Sequence, residues 1–209
     1  MNGFERISVL KQKLEELKGR DPLYKLFGAR GHKYRLHDPL SDGEIQKFES
    51  KHKIKLPREY WLFLMLMGNG GAGPYYGVIP LEYTDRVDIA QRFNVDYINI
   101  SEPFKFTEKW NLDTDEQPGT KAFQEFEEMY DDDKWITGMV RLSHFGCGVF
   151  INLIVNGPEY GNMWVDDRAN DGGIYPDKWF HDNERIGFFD WYELWLDRSI
   201  EKAKTKYGG

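Results

Sequence analysis

Between Leu142 and Asp167 the chain leaves room for little other than a β-hairpin. Gly146, Cys147 and Gly148 precede an apolar run from Val149 to Val155. The turn Asn156, Gly157, Pro158, Glu159, Tyr160, Gly161 then leads to a second strand carrying Trp164, Asp166 and Asp167. Glycine, asparagine and proline reverse the chain without strain, and β-branched and aromatic side chains suit a pleated surface. A lone hairpin is marginally stable in water, so its apolar side needs a cover. The aromatic run Phe188, Phe189, Trp191, Tyr192 and Trp195 is the expected one.

Upstream of the hairpin the apolar period changes from strand to helix. Phe4, Ile7, Leu10, Leu14 and Leu17 recur at three and four residues, placing them on one face of a helix that ends near Gly19. Ser41 and Glu44 have the spacing of a capping box ahead of a helix from about Asp42 to His52. Pro57 is placed to start another, which Tyr60, Trp61, Phe63, Leu64 and Met67 make apolar over most of its circumference, and Gly68, Asn69, Gly70 and Gly71 stop it. Tyr76 to Leu81 is a short strand candidate weakened by Pro80. A helix from about Lys121 to Tyr130, a strand from Met139 to Leu142 and a final helix from roughly Phe188 to Lys204 complete the pattern, with Lys202, Lys204 and Lys206 suited to the last helix's negative end. Residues 82 to 121 carry neither period.

Charge sorts the function classes. The net charge of −7 lies in residues 102 to 134, which hold eleven acidic and four basic side chains, while residues 1 to 60 carry fourteen basic and nine acidic groups. An isoelectric point near 5.3 and basic residues spread over several elements speak against nucleic-acid binding. No stretch approaches the roughly 18 apolar residues of a membrane span, and the charged start lacks a secretory signal's apolar core. With the single cysteine, this points to a reducing cytoplasm.

Motifs that carry chemistry are weak. Gly68, Gly70 and Gly73 match a dinucleotide-loop spacing, but they end a helix instead of opening one. Asp167, Asp171 and Gly172 have part of a calcium-loop pattern, with Lys178 where the closing glutamate belongs. Cys147 follows His144 by three residues, the one nucleophile and base pair in sight, yet small residues between glycines commonly serve packing. The reading is a non-enzymatic protein without cofactor or metal, a hydrolase using Asp166, Asp167 or the Cys147 and His144 pair being the outside alternative.

Three ordered blocks resemble the SUKH superfamily, the Smi/Knr-type domains. They are Leu40, Ser41, Ile45, Phe48, Glu49, Leu56, Pro57, Tyr60, Phe63, Asn69, Gly70, Gly71; then Gly146, Cys147, Gly148, Leu153, Val155, Gly157, Gly161, Asn162, Trp164, Asp166; then Phe189, Trp191, Leu194, Trp195, Leu196. The resemblance covers about residues 36 to 198. It implies an α+β fold with a largely antiparallel sheet flanked by helices, over residues 36–209, with residues 1–35 as an N-terminal helix and connecting segment. It implies architectural roles for Leu56, Pro57, Asn69, Gly70, Gly146, Gly148, Gly157, Gly161, Trp164 and Asp166. It also implies an immunity protein that neutralises a protein toxin, expected to be a nuclease, or a regulatory or scaffolding module acting through protein contacts. A nuclease presents positive charge to phosphates, so Glu125, Glu127, Glu128, Asp131, Asp132 and Asp133 are the expected contacts, with Tyr75, Tyr76 and Tyr160 as exposed aromatic anchors.

Overall fold

The computed structural model of the protein describes residues 2–178 and 185–207, the last two by backbone alone, so the side chain of Lys206 lies outside it. The elements in order are α1 (Gly3–Arg20), α2 (Ala29–His32), α3 (Asp42–His52), α4 (Arg58–Leu66), α5 (Lys121–Tyr130), β1 (Met139–Gly146), β2 (Val149–Ile154), β3 (Met163–Asp166), β4 (Ile174–Pro176) and α6 (Phe188–Tyr207). The four strands form an antiparallel sheet in the order β1-β2-β3-β4. This is an α+β fold, as expected.

Local signals explain most of the starts and stops. Ser41 accepts from the Glu44 N–H while the Glu44 carboxylate accepts from the Ser41 N–H, so the capping box closes at the predicted place. Asn2 and Glu5 build a second box at the start of α1. Pro57 stands one residue before α4 as its cap, not as its first helical residue. The β1–β2 connection is two residues, Cys147 and Gly148, both at positive φ, as the right-handed twist of a tight hairpin requires. Cys147 is therefore held outward and exposed, not packed between its glycines. The Asn69 side chain accepts from the Leu81 N–H and donates to Glu82, fastening the turn after α4 to the next segment.

The α1 helix packs along α6. Ile7, Leu10, Leu14 and Leu17 are buried in the common core, and Arg6 and Lys13 reach Asp190, Glu193 and Asp197 on α6. Phe4, expected on the same face, is 58% exposed; in the first turn it is Gly3 that meets Leu62 and Phe189. The aromatic run of α6 meets α4 through ring contacts of Phe188 with Tyr60 and Phe63 and of Tyr192 with Phe63. Glu59 of α4 accepts from the Phe189 N–H, satisfying a donor that the first turn of α6 would otherwise leave orphaned.

Both faces of the sheet are covered, since every residue of β2 and β3 is buried. Register places Arg141, Asn152 and Trp164 side by side, with Phe150 and Asp166 on the same face. The stretch 82 to 121, unreadable by period, and the predicted α5 after it cover this face with aromatic rings: Phe104 on Trp164 at 4.8 Å, then Phe106, Trp110, Tyr130 and Phe126 in succession at 5.3 to 5.7 Å. Gly157 at φ 114° lets this layer approach, since a Cβ there would lie 2.5 Å from the Phe104 carbonyl oxygen. The predicted strand at Tyr76 to Leu81 is instead a series of single bridges, Leu36 to Gly71 to Val78 to Ser143, continuing the sheet beyond β1.

His32 gives the fold an acid-sensitive point. Its Nδ1 accepts the Tyr34 N–H at 3.1 Å, so the ring proton sits on Nε2, which is buried with no partner among the described residues. Burial lowers its pKa from 6.5 to about 4. The unfolded chain therefore takes up this proton first, and stability is lost as pH falls from 6.5 towards 4, by about 2 kcal/mol after allowance for partial exposure. Urea unfolding at pH 7 and pH 4.5 reads this loss. In His32→Asn, which keeps an acceptor for Tyr34 but does not titrate, the loss shrinks to that of the carboxylates.

Candidate functional site

A buried ion network joins the sheet to an acidic lobe. Asp166, 4% exposed, receives Arg141 Nη1 at 2.9 Å and the Nε and Nη2 groups of Arg168 at 2.8 and 3.1 Å. Arg141 also donates to Asn152 Oδ1 and lies 4.2 Å above the Phe150 ring. Burial would raise the Asp166 carboxyl, but the two guanidinium groups outweigh it and hold the pKa below the ordinary value. Asp166 is thus an anchored anion, and its family-implied architectural role has a physical basis. The remaining donors of Arg168 go to the main-chain carbonyls of Tyr130 and Asp132 at 3.1 and 3.2 Å, which fixes the C-terminal end of α5.

The α5 helix carries the acids singled out above. Thr120 caps it, and Phe126 and Tyr130 turn inward on the aromatic layer. Glu125, Glu127, Glu128, Asp131 and Asp133 are exposed and Asp132 is half-buried. Lys121 pairs with Glu125 at 3.0 Å, and Lys134 pairs with Asp132 at 2.8 Å, where Asp132 also caps a 3-10 turn. Glu127 and Glu128 make no ion pair among the described residues. Glu127, Asp131, Asp113 and Asp171 line a groove of about 610 Å³ together with Phe123 and Phe126. The lobe thus gathers negative charge beside partly exposed rings.

The aromatic anchors separate. Tyr76 is 57% and Tyr160 47% exposed, but Tyr75 is buried. Tyr75 takes a positive φ in the turn after Pro74, which sends its ring inward against Phe145 at 4.9 Å while Tyr76 faces out. Neither tyrosine on the surface lines the acidic groove; Tyr160 lies beside Lys55 and Asn156, and Tyr76 beside Phe27 and His144. The expected contact set therefore falls on separate parts of the surface.

The nucleophile and cation patterns also come apart. The His144 ring faces Phe150 and Tyr76, while Cys147 is at the hairpin tip. Asp167 is occupied by Asn170 and Tyr175. Among the described residues no three His, Cys, Asp or Glu side chains cluster as metal ligands, and no helix is long and apolar enough to cross a membrane. Arg141 and Arg168 are the participants that sequence reasoning missed. The available signal was an arginine inside an otherwise apolar strand, which requires a buried counter-charge.

The helix-flanked antiparallel meander, with its buried ion anchor and charged lobe, defines an α+β domain. The chain belongs to the SMI1 / KNR4 family (SUKH-1), whose sequence model matches residues 39–184. Domains of this family are generally non-enzymatic and of the immunity type. The match encloses α3, α4, α5 and the sheet, while α1 and α6, which pack on each other, lie outside it. No curated protein and no solved structure matches the chain.

Proposed function

We infer that this protein is an immunity protein of the SUKH type, which binds a cationic toxin domain, a nuclease by preference, through the acidic lobe and blocks its phosphate-binding surface. The observation that carries the reading is the lobe itself: exposed carboxylates of α5, Glu127 and Glu128 among them without an ion pair among the described residues, beside a groove and joined to the sheet through Arg168. An anionic surface of this kind competes for the positive charge that a nuclease presents to nucleic acid, and it steers the encounter. The family match supports the immunity class.

Reversing Glu125, Glu127 and Glu128 to lysine tests it. None of the three is buried, and lysines late in α5 suit the helix dipole, so the fold is retained. The toxin candidate is the product of the reading frame adjacent to this chain's own. Binding to it weakens at least about tenfold at low salt, and the slope of log Kd against log salt flattens. Protection of cells expressing that product falls in parallel. An unaltered Kd at low salt removes the lobe from the interface.

A further inference from the structure

A second surface, chemically opposite to the lobe, lies at the other edge of the sheet. Residues 76–79 pair with the outer side of β1, and beside them a groove of about 600 Å³ is lined by His32, Lys33, Arg35, His37, Tyr76 and His144 among others. Lys33 and Arg35 are exposed and make no ion pair among the described residues. Next to them stands a group of exposed rings: Phe27, 60% exposed, is 5.3 Å from Tyr76 and 6.2 Å from Phe145. Exposed aromatic rings adjoining unpaired arginine and lysine have the composition of an interface core and its rim.

The complement to this surface is present on the same chain. The acidic lobe borders β4, since Trp110 bridges Ile174 just before residues 111–114 line its groove. Its exposed Glu127 and Glu128 adjoin Met129, 41% exposed, and half-buried Phe123 and Phe126, so it too sets charge beside apolar surface. The two surfaces flank opposite edges of the sheet, and Lys33 and Arg35 form no ion pair with the α5 acids among the described residues, so within a single copy they do not neutralise each other by direct contact.

We propose that two copies of this chain associate, the Lys33, Arg35, Phe27 and Tyr76 surface of one receiving the acidic α5 lobe of the other. The net charge of −7 does not oppose this contact, because the excess sits in the lobe and the receiving end lies in the basic part of the chain. The contact places unlike surfaces together, so it closes only when a two-fold arrangement makes it twice; otherwise copies add head to tail. This inference does not depend on a toxin partner.

Sedimentation velocity on the full chain, from about 10 to 300 μM at about 0.05 M salt, should show mass rising with concentration, and about 0.5 M salt should return it to monomer. Lys33→Gln with Arg35→Gln removes the association, as does Glu125→Gln with Glu127→Gln and Glu128→Gln. Mixed in equal amounts, the two variants regain pairing, since each retains the half that the other lacks. A benzophenone placed on Cys147, which is exposed three residues from His144 of the receiving groove and whose carbonyl accepts from Asn170 beside the lobe of its own copy, is scored only for cross-links between isotope-labelled and unlabelled copies, which should fall in residues 111–133. A monomer at every concentration and salt overturns the proposal even if a variant fails to fold. So does association that neither variant disturbs, and so do cross-links confined to other segments.

Discussion

Replacing Asp166 by alanine should cost about 3–5 kcal/mol, because it strips the counter-charge from two guanidinium groups that the fold has already removed from water. Coulomb attraction alone does not set this figure. The pair with Arg141 and the two-bonded pair with Arg168 offset a desolvation cost that remains when the carboxylate is gone. Asp166→Asn retains a polar group without the charge and should recover only part of the loss. Exchanging all three for apolar residues of similar size, Arg141→Met with Asp166→Leu and Arg168→Met, should be milder than Asp166→Ala, since no orphaned charge is left. Urea unfolding orders these variants. Hydrogen exchange supplies a local readout: Asp166→Ala should accelerate amides over 121–135, because Arg168 loses the partner that aims it at the Tyr130 and Asp132 carbonyls. A loss below about 1 kcal/mol would show that the network is not a structural anchor.

Trp164→Ala is expected to match that cost, at about 3–5 kcal/mol, by a different route. Trp164 is fully buried opposite Asn152 and Pro176, with the Phe104 ring 4.8 Å away and the Arg185 guanidinium 5.5 Å above it. Its indole N–H donates to Glu159 at 3.2 Å. Alanine leaves a large cavity beneath the Phe104 layer. For a chain of this length the loss corresponds to a fall in melting temperature of roughly 6–20 °C. Trp164→Phe refills most of the volume and gives up the Glu159 bond, so it should cost about 1–2 kcal/mol. Equal costs for the alanine and phenylalanine variants would mean that the hydrogen bond, not the packing, is what matters.

Where neighbouring residues decide a conformation, it was legible in the sequence. The Ser41 and Glu44 box, the α5 boundaries at Lys121 and Tyr130, and the hairpin across Asn156 to Gly161 all rest on contacts within a few positions. Residues 82 to 121 were not legible because they hold to the sheet through isolated long-range pairings, Trp110 to Ile174 and Arg141 to Thr84, which leave no period in the sequence. Tyr75 and Tyr76 are adjacent and chemically alike, and only the positive φ of one separates core from surface. For the site, the acids of α5 could be found from composition, but their anchorage could not. Asp166 and Arg141 are 25 positions apart, and only the strand register brings them together.

Arg168 holds α5 by two peptide oxygens, atoms common to every amino acid. The attachment is therefore indifferent to which residues point outward from the helix. Mutation can redraw the outer face, in sign as well as in shape, while the framework beneath remains unaltered. Transplanting residues 121–133 between related proteins, with the arginine retained, should then carry a binding preference from one to the other, as a key blade is recut without changing its bow.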